Sequence, residues 1–175
     1  INVNTVSALS SIQTRLNFVS VGVEQGLSQS CVQDMEQDHI GFMWIGTKNG
    51  LNRYDGSSFT VYKHNADPAS IQFNDVTAVA EYTDGNMLIG FNTGSLNKYI
   101  RDNDNFIPIS SDIFEENPVY DIYVDNLVCI LVATKKGLYQ GYSNGENFCL
   151  FTIDSAAQDG RPLHINKIVT GMNQN

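Results

Sequence analysis

No stretch of this chain approaches the roughly 18 consecutive apolar residues that cross a bilayer as a helix. The longest apolar run, 127–133, has the length of a strand. The first residues, "INVNTVSALS", show no basic segment followed by an apolar one, so no signal peptide is visible; a mature or trimmed form would look the same. Basic residues are few. Ten Lys and Arg face 19 Asp and Glu, for a net charge of −9. That balance repels phosphate backbones and leaves no polybasic patch for anionic lipid, so nucleic acid is not an expected partner. The acidity reads as a contribution to solubility.

Groups with special chemistry are also sparse. The three cysteines, Cys31, Cys129 and Cys149, are odd in number and exclude a fully paired internal framework. Each sits in an apolar, strand-like run and reads as a small buried hydrophobe. His39, His64 and His164 are scattered, and neither C-x-x-C nor H-E-x-x-H occurs, so no metal site and no cofactor is expected. "DNDN" at 102–105 lacks the Gly and the later Glu of a calcium loop and reads as a solvated turn. There is no G-x-S-x-G elbow and no phosphate-cradling glycine loop. Asp34, Glu36, Asp38 and Glu81 read as solvated or salt-bridged charges at strand ends, so no catalytic residue is assigned.

What the chain does have is a repeat. "WIGTKNGLNRY" at Trp44 returns as "LIGFNTGSLNKY" at Leu88 and as "LVATKKGLYQGY" at Leu131, spacings of 44 and 43 residues. Upstream, Val32, Val76 and Val119 align, as do Met35, Val79 and Ile122. Downstream, Gly50, Gly94 and Gly137 align, and Gly46 matches Gly90. Each copy holds four short segments rich in Val, Ile, Tyr, Phe and Thr, bounded by Gly, Asn and Asp, and each ends on a Phe-led segment. That is the pattern of antiparallel strands joined by tight turns. Helical spacing is sustained nowhere; residues 1–16 come nearest to it.

A period of about 40–45 residues carrying four strands predicts the blade of a β-propeller. The fold class is therefore all-β, with about three complete blades of an unclosed propeller. Residues 1–17 read as an N-terminal extension, and 18–30 as the outer strand of a ring-closing blade with its entry loop. Blades follow at 31–75, 76–118 and 119–166, and 167–175 start a fourth. Trp44, Leu88 and Leu131 are expected to be buried between blades. Three blades and a fraction cannot close a ring, so the chain is expected to be an N-terminal piece of a longer protein and, if stable alone, to self-associate through its open blade edges.

The wording of the first copy is specific. "GLSQSCVQDMEQDHIGFMWIGTKNGLNRYDGSSFTVY", followed by "DPASIQFNDVTAV", resembles the two-component regulator propeller repeat. Its GLS loop, its V-x-x-I-x-x-D-x-x-G-x-x-W-I-G-T core, its G-L-x-R-Y-D-G turn and its Phe-led strand nearly all fall within 26–62. The chain thus resembles the N-terminal periplasmic sensor region of a Bacteroides-type hybrid two-component histidine kinase. The resemblance weakens along the chain, with Ala133 in place of the motif glycine and Leu131 in place of Trp. It implies two seven-bladed propellers, a small β-sandwich, a membrane helix, a histidine kinase, a receiver and a DNA-binding domain in the whole protein. It also implies a periplasmic location, as the ectodomain of an inner-membrane protein, and an oligosaccharide ligand released from dietary or host polysaccharides.

"NRYDG" at 52–56 offers Arg, Tyr and Asp that could grip a sugar, but Asn97, Lys98 and Tyr99 fill the matching place in the next copy, which points to a duty within the repeat. Better ligand-binding candidates are the non-repeating polar residues on loops entering the innermost strands: Gln29, Ser30, Asn74, Asp75, His164 and Asn166. Capping of turns by these same residues is the competing role. The function expected is that of a non-enzymatic sensor module; the alternatives are a propeller enzyme acting on glycans and a protein-binding scaffold.

Overall fold

The computed structural model describes residues 18–109, 116–125, 129–142, 148–151 and 164–169. Among these residues twelve strands run in chain order: β1 (Val32–Gln37), β2 (Met43–Thr47), β3 (Gly50–Tyr54), β4 (Phe59–Tyr62), β5 (Val76–Glu81), β6 (Met87–Phe91), β7 (Leu96–Ile100), β8 (Asn105–Ile109), β9 (Val119–Val124), β10 (Cys129–Thr134), β11 (Gly137–Tyr142) and β12 (Phe148–Phe151). They form three four-stranded antiparallel meanders, β1–β4, β5–β8 and β9–β12. The fold is all-β, and the sheets do not close into a barrel. The expected helical tendency of residues 1–16 lies outside the described residues.

The registers repeat as the sequence does. Met35 pairs with Ile45, Val79 with Ile89, and Ile122 with Val132. Each innermost pair carries an irregularity near its start, after Val32, after Val76 and after Val119. The sheets stack in chain order, β1 beside β5 and β5 beside β9. Between the first two sheets lies a core of Trp44, Leu51, Ile71, Val76, Val79, Met87, Ile89, Phe91, Tyr99 and Phe106. Between the second and third lies another, built from Ala78, Leu88, Leu96, Val119, Ile122, Ile130 and Val132 among others. Burying a large aliphatic side chain stabilises by about 1.5–3 kcal/mol, so these two seams hold the sheets together.

The close approach of the sheets has a steric cause. A Cβ placed on Gly46 would lie 2.8 Å from Val76 Cγ1, and one on Gly90 would lie 2.5 Å from Val119 Cγ1. Glycine on the second strand of one sheet is the notch in which the first valine of the next sheet sits.

Three expectations need correction. Trp44 and Leu88 are fully buried, but Leu131 is only half-buried, because no described sheet lies beyond β9–β12 to cover it. Residues 18–22 carry no strand: no described strand stands beside them, and Phe18 is 91% exposed. Cys31 is exposed and Cys129 half-buried, so neither is the buried hydrophobe expected; Cys31 falls on the entry loop rather than inside a strand.

Candidate functional site

The innermost strands β1 and β5 run side by side in the same sense, as the links between them show. Gln33 Nε2 donates to Asp75 Oδ1 at 2.6 Å and to the Val76 carbonyl at 3.0 Å. Further along, the Val79 N–H donates to Asp34 Oδ2 at 2.9 Å. At the far end the His39 N–H donates to both Glu81 oxygens, at 3.1 and 2.9 Å, and the His39 ring pairs with the same carboxylate. The arrangement recurs two steps on, from β9: Asp121 Oδ2 accepts the Ile168 N–H at 2.7 Å, and Lys167 Nζ donates to Asp121 Oδ1 at 2.8 Å.

The exposed faces of these strands enclose a cleft. Its narrower part, about 270 Å³, is lined by Asp34, Glu36, Glu81, Asp121, Tyr123 and Lys167 together with apolar side chains of β5 and β9. At the C-terminal ends of the inner strands it widens into about 550 Å³ bounded by Glu36, His39, Glu81, Tyr82, Thr83, Asp84 and Val124. Glu36, Glu81 and Val124 line both parts.

Carboxylates dominate its electrostatics. Burial pushes the Asp34 carboxyl above its ordinary range, against the Val79 N–H, which favours the charged form. Burial also raises Glu36, and the charges of Asp34 and Glu81 add to that. Lys167 is raised by its bond to Asp121, with Asp34 and Glu36 reinforcing the cation. At the rim, Asp84 binds Lys98 Nζ at 2.5 Å, and Lys98 also lies over the Tyr82 ring. Burial opposes the charge on Asp84, but Lys98 and the Asn86 N–H outweigh it and lower its pKa. Among the described residues, no three His, Cys, Asp or Glu side chains converge to hold a metal.

Gln29, Ser30, Asn74 and Asp75 lie before β1 and β5, at the opposite end from the wide part of the cleft; His164 and Asn166 lie in 164–169, which carry no strand, and none of the six lines the cleft. The Asn74 carbonyl accepts the Gly50 N–H, and its side chain accepts the His64 N–H at 2.8 Å. Asp75 binds Gln33, and the Ser30 carbonyl accepts the Val32 N–H. His164 is exposed, with its ring 5.0 Å from that of Tyr120, and Asn166 is exposed beside it. Gln29 Oε1 is buried with no hydrogen-bond partner among the described residues.

The "NRYDG" residues serve the fold. Asn52 is buried and accepts the Ser28 N–H at 2.8 Å, as Asn97 accepts the Gln72 N–H at 2.9 Å one repeat later. Arg53 lies over the Phe42, Trp44 and Tyr62 rings and donates to Tyr99 Oη. Asp55 closes the turn through the N–H groups and hydroxyls of Ser57 and Ser58, which hold its carboxyl far below the usual range.

Two carboxylates are bound more fully than the sequence suggested. Asp38 is salt-bridged to Arg101, one of the two roles expected of it, and it is also buried. Its Oδ1 accepts the N–H groups of Ile40, Gly41 and Phe42, and its Oδ2 accepts Trp44 Nε1 and Arg101 Nη2, both at 2.8 Å. Burial works against its charge, but Trp44 and Arg101 outweigh that and lower its pKa. Asp104, exposed in the turn between β7 and β8 as expected, also accepts the hydroxyls of Tyr62 and Tyr99, each at 2.7 Å. Only the place of Asp38 six residues before the Trp hinted at the first.

Residues 26–49 match the family described as two component regulator propeller. A 53-residue stretch is 47% identical to Histidine kinase P4 of Formosa agariphila, covering 30% of this chain and 4% of that protein. The family match covers 24 of the 175 residues, so it identifies the repeat rather than the whole chain. Among solved structures, the extracellular domain of BT3049 of B. thetaiotaomicron, described as a hybrid two component system, superposes with a TM-score of 0.70 at 24% identity, over 84% of this chain and 21% of that one. The extracellular domain of BT4673 of the same organism, described as a one component system, gives 0.63 at 20% identity, over 81% of this chain and 19% of that one. These structures establish the shared fold. The propeller-like domain described here spans about a fifth of their length.

Proposed function

We propose that this domain is a non-enzymatic, extracytoplasmic input module of a hybrid two-component signalling protein, and that it detects an oligosaccharide in the inner-strand cleft. The observation that carries this reading is the cleft itself. It lies where three successive sheets meet, so a ligand touching β1, β5 and β9 at once would bias their spacing, and a change in spacing is what a sensor must transmit. Its volume falls in the range of small-ligand sites. Both oxygens of Glu81 are held by His39, and Asp84 is held by Lys98; both serve as structure. Glu36 is exposed and lines both parts of the cleft, which suits it to accept sugar hydroxyls.

The charge of the cleft also selects. Carboxylates repel sulfated and uronic-acid sugars, so the ligand class is a neutral or amino-bearing oligosaccharide. The test is a thermal-shift panel at low salt. Neutral and amino-bearing oligosaccharides are expected to raise the midpoint, while uronate-rich and sulfated ones leave it unchanged. A response to the acidic glycans alone would overturn the assignment.

A second reading places the ligand at the other end, on Gln29, Ser30, Asn74, Asp75, His164 and Asn166. The unpartnered Gln29 Oε1 favours it. Membrane anchoring of the parent protein, a periplasmic location and weak self-association through the exposed apolar side chains of the first sheet complete the proposal; the exposure of Met35 supports the last.

A further inference from the structure

We propose that the Ile122 N–H, on the free edge of β9, is a seat for a sugar hydroxyl in the narrow part of the cleft, left open because Ala78 stands where β1 and β9 carry Asp. The seat lies within the proposed oligosaccharide cleft and rests on that reading of it. Two seams between successive inner segments are clasped alike. Asp34 of β1 accepts the Val79 N–H of β5, and Asp121 of β9 accepts the Ile168 N–H of 164–169. Both aspartates hold one register position: Asp34 lies opposite Gly46 and Asp121 opposite Ala133. On β5 that position, opposite Gly90, is Ala78. Its methyl group accepts nothing, and no side chain among the described residues accepts the Ile122 N–H. The seam between β5 and β9 therefore lacks the clasp that the seams on either side of it have.

The register shows where that N–H points. Residues opposite one another in an antiparallel pair either exchange both backbone bonds or turn their N–H and C=O groups away from the partner strand. Val79, opposite Ile89, is of the second kind, since its N–H leaves β6 for Asp34. Ile122, opposite Val132, holds the same register. Its N–H thus turns away from β10, on the edge of β9 that borders the cleft, and Ile122 lines the narrow part. Ile122 is only 6% exposed, and a backbone donor so placed calls for an acceptor. The surroundings select which one. Asp34, Glu36 and Asp121 line the same part of the cleft and repel an anion. A protonated amine has no lone pair to offer the N–H. A hydroxyl accepts from Ile122 and donates to a carboxylate at once. At this seat the ligand class narrows from neutral or amino-bearing sugars to a neutral hydroxyl.

The test is amide NMR of the parent chain, read at Ile122. In the free protein the Ile122 N–H is expected to exchange with solvent at least tenfold faster than the Val79 N–H. The probe is methyl β-glucopyranoside, which offers hydroxyls and ether oxygens and no charge. On titration the Ile122 amide signal is expected to move further than those of Val79 and Ile168. Ala78→Asp supplies the missing acceptor, and the fold accepts Asp at this position, since Asp121 is 4% exposed. That variant should slow Ile122 exchange at least tenfold without sugar and abolish the Ile122 response to the glucoside. Equal exchange at Ile122 and Val79 in the free parent would overturn the seat and leave the cleft as an oligosaccharide site. A glucoside response at Ile122 no larger than at Val79 would also overturn it, as would a response that survives in a folded Ala78→Asp chain. A response at Ile122 with no thermal shift from any neutral oligosaccharide would support the seat and count against the oligosaccharide reading alone. The two parent measurements decide the matter even where Ala78→Asp does not fold.

Discussion

Replacing Asp38 by Ala should be among the most damaging single changes in the first two sheets. The side chain is buried and gathers five donors: three N–H groups of its own turn, the Trp44 indole and the Arg101 guanidinium. In the Ala variant, water can reach the turn amides of Ile40 and Gly41, which are exposed, and Arg101 keeps its bond from Nε to the Gly85 carbonyl. Trp44 Nε1 has no such recourse, because its residue is fully buried. An orphaned buried donor costs about 1–3 kcal/mol, and removing one partner of a buried ion pair costs more. A loss of about 3–4 kcal/mol follows, a large share of a typical total stability of roughly 5–15 kcal/mol. For a chain of this size that lowers the midpoint by about 10 °C. Asp38→Asn keeps an acceptor for the turn amides and should lose about half as much. The assay is thermal unfolding by circular dichroism, with emission of the single Trp as a local probe; it should shift to the red in the Ala variant. A midpoint within about 2 °C of the parent, with unchanged Trp emission, would refute the reasoning. The pH sign also follows. The Asp38 pKa is lowered in the fold, so its contribution is complete above the ordinary carboxylate value and is lost as pH falls through the folded value.

Two further outcomes can be checked with the same equipment. Gly46→Ala drives a Cβ to 2.8 Å from Val76 Cγ1 and 3.1 Å from the Val76 carbonyl, so overpacking of the seam between the first two sheets should cost about 1–3 kcal/mol in urea unfolding; a neutral result would mean the notch is not filled. Asp34→Asn should act in the opposite direction to Asp38. Burial raises the Asp34 pKa, so ionised Asp34 costs stability above its folded value, and protonation recovers it as pH falls towards the ordinary carboxylate range. The Asn variant, which keeps an acceptor for the Val79 N–H, should gain stability relative to the parent at pH 8 and lose that advantage near pH 4; an advantage independent of pH would count against the argument.

The repeat was legible because packing imposes it. Val at the start of the inner strand, glycine on the second strand and Phe leading the fourth recur since each sheet must fit the next in the same way, and periodic residues reveal periodic contacts. Asn52 and Asn97 were legible as structural for the same reason, and each proves to hold an incoming loop. What joins one sheet to the next was not legible. Arg101 meets Asp38 across 63 positions of chain, and Asp104 meets Tyr62 across 42. Asp38 stands in the motif and recurs as Asp125, but Arg101 and Asp104 have no like residue in the other copies, so no local pattern links the pairs. The cleft was hidden for a related reason: Asp34 and Asp121 occupy one repeat position, yet Ala78 interrupts the series between them. Their shared role appears only once β1, β5 and β9 stand together. The loss of strand character at 18–22 was invisible too, since strand propensity says nothing about whether a partner edge exists.

The central claim is that the inner-strand cleft, rather than the loops at the other end of these strands, takes the ligand. The most direct measurement is calorimetric titration of the neutral oligosaccharide that gives the largest thermal shift into the parent chain, Glu36→Ala and Asn166→Ala. Both positions are exposed, so neither change should disturb the fold. The account predicts that Glu36→Ala weakens binding at least tenfold while Asn166→Ala stays within twofold of the parent. Unchanged affinity in Glu36→Ala together with a tenfold loss in Asn166→Ala would contradict it and move the site to the loops.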